Sequence, residues 1–219
     1  MTDIILIDNY PIIRIGIRAL LESHASYRVC AEASSKLDVW EYLEKRRPSL
    51  AIMDLILGRE DGLNLIKEIC GRQPGIKILV MSSQDESVYA ERVIRAGASG
   101  FISKTDAPNY LLDAVHSVLS GDLYLTHRTS MQMLCRFLNK SLPHSIPGIH
   151  SLSDREIYVY QMIGIGLTTL EIAQSMNRSP KTIETYKGHI KRKLQLKDAE
   201  ALKLSAFHWV YKSHPEYTL

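Results

Sequence analysis

The sequence predicts two joined folds: a doubly wound α/β domain built on a five-stranded parallel sheet, followed by an all-α domain of four helices. Two observations carry this. Up to about residue 120, five short apolar runs rich in β-branched residues alternate with segments whose apolar positions recur at three and four. From Asp122 that alternation stops, and beyond a proline- and glycine-containing stretch four helix starts follow one another. A chain of 219 residues has room for two ordinary domains.

Taken in order, IILID, RVCAEA, LAIMDL, KILVMS and GFISK read as buried strands. The helical segments between and after them begin near Pro11, Lys36, Gly62, Glu86 and Ala107. Five such βα units imply a parallel sheet, because parallel neighbours need a crossover connection. A ligand site in such a sheet lies beyond the carboxyl ends of the strands. Asp8, Asp54, Ser82 and Lys104 end or directly follow strands one, three, four and five, so the topology sends all four to one rim.

The stretch HRTSMQMLCRFLNKS is compatible with a short helix carrying Met131, Leu134 and Leu138 on one side, and SLPHSIPGIHS reads as an irregular connector. The expected domains are 1–124, a partly helical linker at 125–150, and 151–219. In the last of these, Ser153 with Glu156 and Thr168 with Glu171 have the spacing of capping boxes, in which hydroxyl and carboxylate satisfy backbone donors at a helix start. Ser179 followed by Pro180 is an N-cap with proline at the first helical position. Asp198 caps the fourth helix.

Composition narrows the function classes. Hydrophobic residues at 45% and charged residues at 23% suit a soluble globular protein, and the longest apolar runs are strand-sized. The start lacks the basic and long apolar regions of a signal peptide, so a cytoplasmic protein without a membrane partner is expected. Three widely spaced cysteines suit reduced thiols, and eight scattered histidines form no zinc motif. The net charge of +3 is unevenly spread. Residues 1–125 carry 14 Lys/Arg against 17 Asp/Glu, whereas 178–197 carry seven basic side chains opposed only by Glu184. Alone, such a run is more often a solvated helix face than a nucleic-acid site.

At the rim, Asp54 is a competent nucleophile towards a phosphoryl group when a cation offsets the repulsion between carboxylate and phosphate. Asp8 can help hold that cation, Lys104 adds a fixed positive charge, and Ser82 offers a hydroxyl to a phosphoryl oxygen. Any one of these residues is more ordinarily a polar cap on a strand end. Four at one rim are not. A dinucleotide fold fits poorly, since DNYPIIRIG is not a GxGxxG turn.

With these residues in view, the first ~120 residues resemble the receiver domain of two-component response regulators. The resemblance implies an acidic pair at Asp8 and Asn9, a phospho-acceptor at Asp54, a switch hydroxyl at Ser82, a switch aromatic at Phe101 and the lysine at Lys104. It also implies a Mg²⁺ site formed by Asp8, Asn9, Asp54 and the backbone carbonyl of Ile56. Three positions depart from the pattern: Asn9 replaces the second acid, Gly58 stands where proline is usual, and Phe101 where tyrosine is common. Asn9 touches the chemistry directly and implies weak Mg²⁺ binding. Aspartyl-nucleophile phosphohydrolases share part of this geometry, but they place a second aspartate where Ile56 stands, so an enzyme is not expected.

Residues 151–205, from LSDREIYVYQ to HIKRKLQL, resemble the helix-turn-helix domain of LuxR or NarL/FixJ regulators. Geometry supports this independently: on a helix from Pro180 to Leu194, Ile183, Ile190 and Leu194 share one face while Lys181, Thr185, Gly188 and Arg192 share the other. The resemblance puts Glu184, Thr185 and Gly188 at base-reading positions. Lys181, Thr182, Lys187, Lys191 and Arg192 are candidates for phosphate contacts. It implies a transcriptional regulator that binds double-stranded DNA as a homodimer and is switched when a partner sensor histidine kinase phosphorylates Asp54. The alternative is a phosphorylation-independent DNA-binding regulator whose degenerate receiver serves dimerisation or partner binding.

Overall fold

A computed structural model of the chain describes residues 1–138 and 148–213, which fall in two compact units, Met1–Asn139 and Lys140–Leu219. The first unit runs β1 (Thr2–Ile7), α1 (Pro11–Glu22), β2 (Tyr27–Ala33), α2 (Lys36–Leu43), β3 (Leu50–Met53), β4 (Ile56–Leu57), β5 (Glu60–Asp61) and α3 (Gly62–Arg72). It continues with β6 (Lys77–Ser82), α4 (Glu86–Ala96), β7 (Gly100–Ser103), α5 (Ala107–Ser120) and α6 (His127–Phe137). Strands β2, β1, β3, β6 and β7 form, in that order, one parallel sheet. Ile4 to Ile7 and Leu50 to Met53 are at most 1% exposed, because helices cover both faces; this is why those strands read as unbroken apolar runs. The strand order reverses between β1 and β3, so the crevice expected of a doubly wound sheet opens where Asp8 and Asp54 follow those strands.

The residues after β3 form a short antiparallel hairpin of β4 and β5, which is not among the five strands expected from the sequence. Gly58 sits at its tip with φ of +62°, a left-handed conformation that proline cannot adopt. The departure from the receiver pattern at this position is therefore a backbone requirement of this hairpin.

Beyond α5 the chain returns along the sheet edge: Phe101 N donates to Tyr124 O at 2.9 Å and Tyr124 N donates to Ser99 O at 3.1 Å. A Cβ on Gly100 would stand 2.8 Å from that Tyr124 oxygen, so the close approach needs glycine. Thr126 then caps α6, its Oγ1 accepting from Thr129 N, while its own N and Oγ1 donate to Glu86 Oε1 at 3.1 and 3.0 Å. The first part of the 125–150 segment is thus a helix fastened to the start of α4, and its Met131, Leu134 and Leu138 are 46–50% exposed. Most of the expected connector SLPHSIPGIHS, residues 141–147, lies outside the described residues.

The described residues of the second unit form a 3₁₀ turn at Ile149–Ser151, then α7 (Asp154–Gly164), α8 (Thr169–Ser175), α9 (Pro180–Lys193) and α10 (Ala199–Ser213). Both predicted capping boxes form, at Ser153/Glu156 and Thr168/Glu171, and Ser179 and Asp198 cap as expected. Helix α7 is buried from Glu156 to Gly164 and packs against Leu202, Ala206 and Val210 of α10. Trp209 lies against Tyr160 with ring centroids 5.5 Å apart, and Tyr160 Oη shares a hydrogen bond of 2.7 Å with Ser205. Trp209 therefore helps complete this core.

Candidate phosphoryl-acceptor site and nucleic-acid interface

Asp8, Asp54 and Ser82 are buried at 2%, 5% and 1% exposure, and Lys104 joins them from the end of β7. Its ammonium lies 2.8 Å from Asp8 Oδ2 and 2.7 Å from Asp54 Oδ2. The other Asp54 oxygen accepts from Ser82 Oγ at 2.7 Å and from Leu55 N at 2.6 Å. Asp8 Oδ1 accepts from Tyr10 N at 2.8 Å, and the Asp8 carbonyl accepts from Arg14. Two strand ends thus present their carboxylates to one cation, and a third supplies the hydroxyl. Lys104 also stands 5.5 Å from the ring centre of Tyr10, a residue at the mouth that the sequence reading did not single out.

The electrostatics follow from burial. Desolvation pushes the Asp8 carboxyl above its usual range, helped by the negative Asp54 and opposed by Lys104. For Lys104, burial works against the charged form, but the charges and hydrogen bonds of Asp54 and Asp8 outweigh it, so its pKa rises. Phe101 is fully buried in β7, and Ile56 is half-buried at the start of β4.

Asn9 follows Asp8, and its Oδ1 is buried without a hydrogen-bond partner among the described residues. A carboxamide oxygen left without a partner on the residue next to Asp8, taken with the Asp8 and Asp54 carboxylates, is a donor set whose chemistry suits a hard divalent cation such as Mg²⁺. The set carries fewer negative charges than three acids would, and among the described residues no group of three or more His, Cys, Asp or Glu side chains gathers as a metal cluster.

On α9, Ile183 and Ile190 are fully buried, while Lys181, Glu184, Thr185, Gly188 and Arg192 are exposed and Thr182, Lys187 and Lys191 half-buried. One helix face packs and the other is open, as the spacing required. Thr185 Oγ1 donates back to Lys181 O at 3.0 Å, which leaves its methyl as the group available outwards. Ser179 Oγ accepts from Thr182 N and shares a hydrogen bond with its hydroxyl. Lys193 does not join the open face: it donates to Ser151 O and lies 2.6 Å from Glu156 Oε2, tying α9 to the start of α7.

Sequence reasoning missed Thr169. Its hydroxyl, at the start of α8, donates to Glu184 Oε1 at 2.9 Å and accepts from Lys187 Nζ. Lys187 Nζ also lies 2.9 Å from Glu184 Oε1. These hydrogen bonds hold the Glu184 carboxyl below its usual range. Contacts across 15 and 18 positions leave no local signal in a sequence.

Comparison with known proteins agrees with this architecture. Residues 4–116 match the family model described as response regulator receiver domain, and residues 150–206 match bacterial regulatory proteins, luxR family. The chain is 35% identical to the Fimbriae Z protein of Salmonella typhimurium over 88% of this chain and 90% of that one. It is 30% identical to response regulator UvrY of Escherichia coli over 95% of both. Among solved structures, RcsB from Salmonella enterica serovar Typhimurium bound to promoter rprA in the presence of phosphomimetic BeF₃⁻ superposes with a TM-score of 0.74 at 25% identity, covering 94% of this chain and 98% of that one. The fold and these matches define a DNA-binding transcriptional response regulator. The chain belongs to the NarL/FixJ family, with a LuxR-type helix-turn-helix domain.

Proposed function

We propose that this regulator accepts a phosphoryl group at Asp54 from a partner sensor histidine kinase and, once phosphorylated, binds paired half-sites on duplex DNA as a homodimer. In the transfer, an Asp54 carboxylate oxygen forms the new P–O bond as the P–N bond of a phosphohistidine breaks, and the imidazole keeps the electron pair. Lys104 neutralises phosphoryl oxygens, and Ser82 donates its hydroxyl to one of them. Asp8, Asn9, Asp54 and the Ile56 carbonyl would hold Mg²⁺, which when bound shields the incoming anion from the carboxylates. Asn9 contributes oxygen without charge, so this binding is weak. Ile56 offers no group to orient an attacking water, so the chemistry is stoichiometric labelling, not turnover.

The observation that carries this reading is the convergence of Ser82 and Lys104 on opposite oxygens of Asp54. Phosphorylation would act by favouring the receiver state that Ser82 and Phe101 stabilise, a population shift. A second reading is favoured by one observation: the unpartnered Asn9 Oδ1 brings no charge to the site, so the receiver can serve dimerisation or partner binding without phosphorylation. In that reading the receiver is constitutively in its binding state. Measuring phosphodonor labelling and DNA binding on the same samples, with Asp54→Ala as control, separates the two. Labelling that raises DNA affinity supports the first; equal DNA affinity with and without labelling supports the second.

At the DNA, Lys181, Thr182, Lys187, Lys191 and Arg192 grip phosphates, while Glu184, Thr185 and Gly188 face base edges. A solved structure of two RcsB dimers bound to two parallel DNAs supports a dimeric assembly here. Among the described residues no helix is long and apolar enough to cross a membrane, and binding to DNA supports a cytoplasmic protein.

A further inference from the structure

We propose that Thr169 is a positioning residue that locks Glu184 in place as a preformed acceptor for a cytosine amino group, with Lys187 as the second arm of the same clasp. The proposal rests on the reading of α9 as the recognition helix and adds to it the residue on α8 that sets its base preference.

The geometry carries the argument. Glu184 Oε1 receives both the Thr169 hydroxyl and the Lys187 ammonium, each at 2.9 Å. Lys187 Nζ donates in turn to Thr169 Oγ1, closing a three-membered ring of polar groups across two helices. A lysine and glutamate three apart on an exposed helix contribute little by themselves. The hydroxyl from a second helix makes the difference, because it fixes the carboxylate from outside its own helix. Among the described residues only one carboxylate oxygen is engaged, and the Glu184 side chain remains 61% exposed. Oε2 is therefore offered outwards from a side chain whose freedom is already restricted, which lowers the ordering cost of using it on DNA.

Its chemistry selects the partner. A carboxylate is acceptor-only, so it repels the O6 and N7 of guanine and the O4 of thymine. Adenine offers an amino group but places the N7 acceptor beside it. In the major groove the cytosine amino group has its own non-polar C5–H on one side and an acceptor, the paired guanine O6, only on the other, whereas the adenine amino group is flanked by N7 and thymine O4; cytosine is therefore the base a single anchored carboxylate oxygen favours. Glu184 is also the only acid between Arg178 and Lys197. Facing a polyanion, it lowers affinity for every sequence that does not offer it a donor, so it acts as a filter as much as a contact. Lys187 has three donors and spends two on the clasp, leaving one for a phosphate.

The test uses the full-length protein and a pool of random-sequence duplexes to select a binding site, followed by titrations against that site and its single-base-pair variants. Wild type should prefer cytosine at one position of each half-site by about tenfold. Glu184→Ala should erase that preference and bind non-selected duplex more tightly. Thr169→Val should reduce the same preference severalfold at the same position while leaving affinity for non-selected duplex and the salt slope unchanged. Thr169→Ser, which keeps the hydroxyl, should restore it. If Thr169→Val weakens binding to all duplexes equally, or if its preferences match wild type, the clasp is overturned while the recognition-helix reading stands. If wild type selects no sequence at all, that reading fails and the clasp with it.

Discussion

The acceptor pocket and the open face of α9 both concentrate charge, yet they treat it in opposite ways. In the pocket, Asp8, Asp54 and Lys104 are nearly buried and compensate one another within 2.7–2.8 Å. On α9, Lys181 and Arg192 stand exposed towards solvent, and only Lys187 is drawn into the clasp. Burial raises the strength of each interaction and the cost of each missing partner, whereas exposed charges act through their sum and yield to salt. One altered charge in the pocket should therefore change a function sharply, and one altered basic side chain on the open face of α9 should only trim DNA affinity.

The largest effect expected of this contrast is the response of DNA binding to salt. If each protomer neutralises several phosphates, log affinity falls with log salt at a slope of about −0.9 per contact, a loss of ~10³-fold or more between 50 and 200 mM salt. Lys191→Ala should reduce that slope by about one contact and weaken all sequences alike. Titrations of full-length protein at four salt concentrations measure it, and salt-independent binding would remove α9 from the interface. Phosphodonor labelling, by contrast, should lose about 10²-fold in rate in Lys104→Ala at fixed Mg²⁺, because a single buried cation faces the developing charge. A loss no larger than that caused by Lys191→Ala in DNA binding would erase the distinction between the two regions.

Asn9→Asp sharpens the comparison from the other side. It puts an anionic oxygen where Asn9 Oδ1 is now buried without a hydrogen-bond partner among the described residues. The Mg²⁺ needed for half-maximal labelling should fall by about tenfold, since a carboxylate binds the cation with charge where a carboxamide cannot. Titrating Mg²⁺ against labelling rate reads this directly, and superimposable curves would make Asn9 a neutral replacement.

What was legible in the sequence follows the same division between local and distant causes. The five buried strands and the helix starts at Pro11, Lys36, Gly62, Glu86 and Ala107 coincide with observed elements, because unbroken apolar runs, N-caps and N1 prolines are written locally. The gathering of Asp8, Asp54, Ser82 and Lys104 followed from topology alone, since parallel strands carry their ends to one rim. Side-chain pairings between distant segments were not legible. The Glu86 clamp on Thr126 spans 40 positions and the Thr169 clasp up to 18, and hydroxyls at helix starts read simply as caps. The β4–β5 hairpin escaped because two-residue strands leave too little alternation to detect.

The smallest expected effect tests whether burial or domain decides how a charge behaves. Glu156 belongs to the DNA-binding domain but is only 3% exposed, so it should behave like a pocket residue. Burial works to raise its pKa, but the Lys193 ammonium at 2.6 Å and the Ser153 backbone and hydroxyl donors prevail and lower it below the usual 4.5. A carboxyl with a depressed folded-state pKa adds stability above its unfolded value, and that stability is lost as pH falls through the folded value. Glu156→Gln keeps the side-chain shape and an oxygen for the cap but removes the charge facing Lys193. At neutral pH it should cost about 1–2 kcal/mol. Below both pKa values wild type is itself protonated, so the gap should close. Trp209, packed on Tyr160, reports unfolding of this domain by fluorescence once Trp40 is replaced by phenylalanine. Denaturant midpoints for wild type and Glu156→Gln in that background should converge as pH falls from 7 to below 4. A gap that stays constant over that range would mean that the pairing with Lys193 contributes nothing and that the cap alone holds Glu156, leaving strong charge coupling to the acceptor pocket.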